Sequence, residues 1–227
     1  MNTISSIFHG MGGMLAHPGR TGKEFTTDMH LKPIAIFVIV FGTAFGLIML
    51  KSQLAGDYPP PAEDLAIWVE HWGEGVMLPF FNIPEERYRG FQAAIMLPFA
   101  LALWMLIGGT AKLMANLFGG RQSYETYLKL TGFTFFTIWV IATFIDSMFS
   151  VVFWEYVARG LKGEYGPAVD TLLTFFMPLE YTMLYGLAAV NVTIATRAVE
   201  GFAWWKAAII GIAVFAWPMM LVSAVVR

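Results

Sequence analysis

Long apolar stretches alternate with short polar connections along this chain, and almost all of its charge sits in the connections. Five apolar runs, at roughly 33–50, 90–111, 130–153, 168–195 and 207–226, come to the about 20 residues that a helix needs to cross a hydrocarbon layer. Backbone polar groups inside lipid must bond within their own segment, so these runs are predicted as helices rather than loops. Pro98, Pro178 and Pro218 fall inside them, where each removes an N–H and favours a kink.

Polar segments separate the runs. Residues 1–32 are predicted as a cytoplasmic N-terminal segment. In it Ile4, Ile7, Phe8, Met11, Met14 and Leu15 recur at helical spacing, the pattern of a helix lying in the bilayer interface. Gly10, Gly12 and Gly13 and the scarcity of cations on the polar face leave a flexible tail as the competing expectation. Residues 51–89 are the one large connection. Tyr58-Pro59-Pro60-Pro61 stiffens its start, and Leu65, Trp68, Val69 and Trp72 then fall on one face of a short amphipathic helix. Val76 to Phe81 are apolar but too few to span. Gly119-Gly120 is predicted to end the second run and Ser123 to cap the third. Gly160, Gly163, Gly166 and Pro167 mark the next turn, and Gly201 the last.

Composition places this pattern in a membrane. The 227 residues are 57% hydrophobic and 13% charged, against about 25% charged in an average soluble domain. One soluble core of this size could not cover that much apolar surface. With no cysteine, thiolate metal sites, disulfides, cysteine nucleophiles and covalent haem are excluded. The net charge of -2 and the absence of cations interleaved with stacking aromatics argue against nucleic acid. No charged leader precedes a short apolar core, so the first run is expected to act as an uncleaved anchor. An N-in, C-out arrangement puts eight Lys/Arg inside (Arg20, Lys23, Lys32, Lys112, Arg121, Lys129, Arg197, Lys206) and six outside. The fold expected is an all-α five-transmembrane-helix bundle over 33–227. Its large loop, 51–89, is expected to be extracytoplasmic.

Candidate chemistry is sparse. Asp146 and Glu180 lie deep in the third and fourth runs, where an ionised group costs about 2.5–3.5 kcal/mol on insertion scales and must face protein or water. Thr143, Asp146, Ser147 and Ser150 make one polar stripe, and Glu180 and Asn191 share a helical face. A proton or cation site is one reading of these six residues; hydrogen bonding between helices is the other, and the favoured one. Asp170, near a helix end, is explained by solvation. The four histidines, His9, His17, His30 and His71, lie outside the runs, so no membrane haem and no metal or other cofactor is expected. No nucleophile set or phosphate loop is visible. Gly42 and Gly46 make a small-xxx-small pattern, read as close helix contact within the bundle. Leu65, Trp68, Trp72, Phe80 and Phe81 of the large loop are read as a partner-binding surface.

Three short motifs carry a resemblance. Ala16-His17-Pro18-Gly19-Arg20-Thr21 stands just before the first run. Phe118-Gly119-Gly120-Arg121 leads into Ser123-Tyr124 within Lys112 to Leu128. Arg197-Ala198-Val199-Glu200-Gly201-Phe202, with Trp204 and Lys206-Ala207, opens the last run. In order and placement these resemble bacterial Yip1-domain membrane proteins over about residues 14–53 and 90–227, with the Asp57–Arg89 loop longer than that family suggests. Five spans and a cytoplasmic N-terminus also fit this resemblance, which supplies no catalytic residues to carry over and implies a bacterial inner membrane. Its eukaryotic relatives bind small GTPases of the Rab type, while bacterial members are mostly without assigned chemistry. The expected function is a non-catalytic membrane subunit or scaffold, embedded in lipid and bound to other integral membrane proteins or to copies of itself. The alternative is a small ion or solute translocator using Asp146 and Glu180.

Overall fold

A computed structural model describes residues 2–55, 88–152 and 167–225. They form seven helices and no strand: α1 (Thr3–Ala16), α2 (Pro18–Thr27), α3 (Lys32–Ala55), α4 (Tyr88–Leu117), α5 (Tyr124–Val152), α6 (Pro167–Glu200) and α7 (Trp204–Val225). Three stretches among the described residues are long and apolar enough to cross a membrane: Lys32–Lys51, Gly90–Leu117 and Tyr124–Ile145. Helices α6 and α7 coincide with the fourth and fifth apolar runs. The third helix begins about six residues earlier than hydropathy alone suggests, because the polar turn Tyr124–Lys129 is helical too. The expected partner-binding residues Leu65, Trp68, Trp72, Phe80 and Phe81 lie outside the described residues, as does the predicted loop helix.

Local chemistry sets the helix ends. Asn2 caps α1, its side-chain oxygen accepting from Ser5 N–H at 2.8 Å. His17 closes α1 and opens α2, and Pro18, the first residue of α2, needs no N–H partner there. The N-terminal segment is therefore two short helices meeting at one residue, not a tail. Gly119 follows α4 at φ +84°, and Gly120 N–H returns to Ala115 O at 2.8 Å, which satisfies a carbonyl the helix end would leave bare. Ser123 Oγ accepts from Thr126 N–H at 3.2 Å and caps α5 as its position suggests. Gly201, at φ +72°, ends α6 in the same left-handed conformation.

The chain divides into two compact units, 1–35 with 104–218, and 36–103 with 219–227. In the first, α5 is the central helix: every residue from Thr126 to Trp139 is buried. A helix apolar all round belongs in a core or a membrane, and α5 is built for both. Phe133 stacks on Phe25 of α2, and Phe135 on Phe215 of α7. Two of its buried threonines, Thr131 and Thr134, are satisfied within the helix, donating back to Tyr127 O and Leu130 O one turn earlier, at 2.7 and 2.8 Å. Helices α6 and α7 touch at Gly211, where a Cβ would sit 2.5 Å from Ala189 O and closer still to Thr193 Oγ1. In the second unit, Gly42 and Gly46 bring α3 against α4: a Cβ on Gly42 would lie 3.0 Å from Leu97 Cα, and one on Gly46 3.0 Å from Ala93 O. The small-xxx-small pattern thus serves contact within the chain.

Candidate functional site

The sequence-predicted intramembrane set is only partly within view. Asp146, Ser147, Ser150 and Glu180 lie on α5 and α6, but their side chains are outside the described residues. Thr143 Oγ1 donates to Trp139 O at 2.9 Å, within its own helix. Asn191 is 3% exposed, and its Nδ2 has no partner among the described residues; the same holds for Thr137 Oγ1 and Thr196 Oγ1.

The densest polar geometry lies elsewhere, where the three short motifs meet at one end of the first unit. Glu200 is the last residue of α6. A carboxylate there opposes the helix dipole, whose C-terminal end is partially negative. The fold answers with three donors. Arg121 N–H reaches Oε2 at 2.8 Å, Gln122 N–H reaches Oε1 at 3.0 Å, and the Tyr127 hydroxyl donates to Oε1 at 2.7 Å. Gln122 then donates from Nε2 to Val199 O at 3.1 Å, and Lys112 Nζ donates to Gln122 O at 2.6 Å. The α4–α5 turn is clasped to the end of α6.

Around this clasp cations rest on aromatic rings. Arg197 stands 4.3 Å over Trp204, and Lys206 Nζ lies 5.6–5.9 Å from the rings of Trp205, Phe118 and Phe202. Lys129, almost wholly buried, donates to Met29 O at 2.7 Å and to Glu125 Oε1 at 3.1 Å, which fixes the exit of α2.

The N-terminal helices complete this end. Gly19 and Gly22 let α2 lie on Ile194, Ala195 and Ala198 of α6. On α1, Gly10 faces the Phe133 ring. His9 Nε2 meets Glu24 Oε2 at 2.7 Å, and Arg20 Nε donates to Glu24 Oε1 at 3.0 Å. The bond from His9, then that from Arg20 with both positive charges, outweighs desolvation and holds the Glu24 carboxyl below its usual 4.5.

Glu200 stands within one of the three sequence motifs, whose pattern assigns it no role. The available signal was an acid immediately before a helix-ending glycine, in the turn where helices favour cations. The His9–Glu24 pair had no such signal, since it joins two helices whose angle is a tertiary outcome. Among the described residues no cluster of His, Cys, Asp and Glu could hold a metal ion.

A family model described as the Yip1 domain matches residues 12–226. That range is wider than the two stretches that carry the resemblance, and it takes in the large loop. No curated protein and no solved structure matches the chain.

Proposed function

The chain belongs to the Yip1-domain family, and from that premise we propose that it is a non-catalytic integral membrane subunit or scaffold that binds other membrane proteins. The observation that carries this reading is the Glu200 clasp. The polar groups of two family motifs are spent on each other, with Glu200 accepting from Arg121, Gln122 and Tyr127. Motifs used in this way maintain a shape, and a maintained shape with no reactive group is what a binding or scaffolding role requires.

In this reading all five long helices cross the bilayer, with the clasped end in the cytoplasm and the 51–89 loop outside, in a bacterial inner membrane. The cations support that orientation. Arg20, Lys23, Lys112, Arg121, Lys129, Arg197 and Lys206 belong to the elements of the clasped end, and Lys/Arg favour the cytoplasmic side. In this reading Leu65, Trp68, Trp72, Phe80 and Phe81 of the large loop supply the partner-binding surface.

Gentle extraction followed by native mass measurement tests the proposal. The expected result is a complex with another membrane protein or with further copies of the chain, weakened when Trp68 and Trp72 are both replaced by Ala. A strictly monomeric, unaccompanied species under conditions that preserve known complexes overturns it.

A further inference from the structure

We propose that the groove between α2 and the last turn of α6 holds the phosphate of an anionic phospholipid headgroup. The groove is shallow and widely open, with a volume of about 790 Å³. Arg20, Lys23, Glu24 and Thr27 of α2 line it opposite Ala198 and Val199 of α6. It exists because α2 crosses α6 on small residues: a Cβ on Gly22 would stand 3.1 Å from that of Ala195. That close approach carries the charged side of α2 beside the end of a long apolar helix.

The charge in the groove is unevenly committed. Glu24 is occupied on both oxygens, by His9 and by Arg20 Nε. The guanidinium of Arg20, on a side chain 82% exposed, keeps its two outer NH₂ groups for a further acceptor. Lys23 makes no ion pair among the described residues. Thr26 turns its hydroxyl back to Lys23 O at 2.7 Å, while Thr27 adds a second hydroxyl to the lining. An ammonium, a fork of guanidinium donors and a hydroxyl together match a phosphate monoanion.

Position selects a lipid as the source of that phosphate. The floor of the groove, Ala198–Val199, lies within one turn of Gly201. Directly beyond the turn Trp204 and Trp205 are exposed, with Arg197 over the first ring. Tryptophan beside cations is the signature of the headgroup layer. Helix α1, tied to the groove through His9, exposes Ile4 (65%) and Phe8 (68%), apolar surface of the kind that enters the acyl boundary next to a headgroup.

The full-length protein, purified from membranes and reconstituted with phosphatidylcholine plus a minor fraction of phosphatidylglycerol, provides the test. Native mass spectrometry reads the retained phosphatidylglycerol. Lys23→Ala is expected to lower retention about fivefold, the effect of one cation at an anionic surface. Lys23→Arg should restore it, and Lys51→Ala, an exposed cation on α3, should leave it unchanged. Added inorganic phosphate should not compete. Equal retention in Lys23→Ala and the parent overturns the proposal. So does an equal loss in Lys51→Ala, which would reduce the effect to overall charge. Full displacement by inorganic phosphate would make the ligand a free anion and overturn the assignment to lipid.

Discussion

The Tyr127 hydroxyl donates to Glu200 Oε1 at 2.7 Å although the two residues stand 73 positions apart. Tyr127 is fully buried on α5 and Glu200 ends α6, so one bond joins the start of one long helix to the finish of another.

Two effects of opposite sign meet at Glu200. Removing an acid from a helix C-terminus should help by about 0.3–1 kcal/mol. Removing the acceptor of a buried donor costs about 1–3 kcal/mol, and here the hydroxyl of buried Tyr127 loses it, together with the more exposed amides of Arg121 and Gln122. The second effect wins, so Glu200→Ala is expected to lower the thermal midpoint in detergent. Tyr127→Phe, which removes a single bond to a carboxylate, should cost about 1.5–3 kcal/mol. The double variant should lose less than the sum, since the two share one interaction. A Glu200→Ala protein that melts at or above the parent would remove the clasp from the stability of the fold.

Acid should loosen the N-terminal helices. The carboxyl of Glu24 is held below 4.5 in the fold, chiefly by its bond to His9 and then by Arg20. A group with a lowered folded pKa contributes stability above its unfolded value and loses it as the pH falls through the folded one. Protection of the backbone amides of α1 and α2 against hydrogen exchange, taken relative to the intrinsic rate at each pH, should therefore fall below about pH 4.5. In Glu24→Gln that acid step should be absent. An acid step of the same size in both proteins would place its origin elsewhere.

The α6–α7 contact depends on a missing side chain. Gly211→Ala would place a methyl group 2.5 Å from the Ala189 carbonyl, a backbone atom that cannot swing away. Overpacking of this kind costs about 1–3 kcal/mol. Gly186→Ala, on α6, meets nothing within 4 Å and should be neutral or slightly stabilising. Thermal unfolding of the pair in one detergent separates the two, and a well-tolerated Gly211→Ala would argue against so close an approach.

The scaffold reading also makes a negative forecast. Asp146→Asn combined with Glu180→Gln should leave a folded protein with unchanged ion permeability in liposomes. A parent that conducts protons or cations, silenced by the double variant, would establish the translocator instead.

Much of the layout was legible in the chain itself, because it depends on what each segment can bury. A long apolar run in lipid has one way to satisfy its backbone, so the helices over the apolar runs follow from hydropathy. Glycines at 119 and 201 and Ser123 end and cap helices by local conformation alone, and they do so here as their positions suggest. Family membership was legible too, in three short motifs whose order mattered more than their content.

Which motif touches which was decided only by the tertiary structure. Glu200 finds Arg121, Gln122 and Tyr127 because the start of α5 lies against the end of α6, and that placement is a property of packed side chains rather than of periodicity. His9 reaches Glu24 because Gly10 allows α1 down onto Phe133 while Gly19 and Gly22 seat α2 on α6. A sequence fixes what a helix can bury. Only the assembled helices determine what it is buried against.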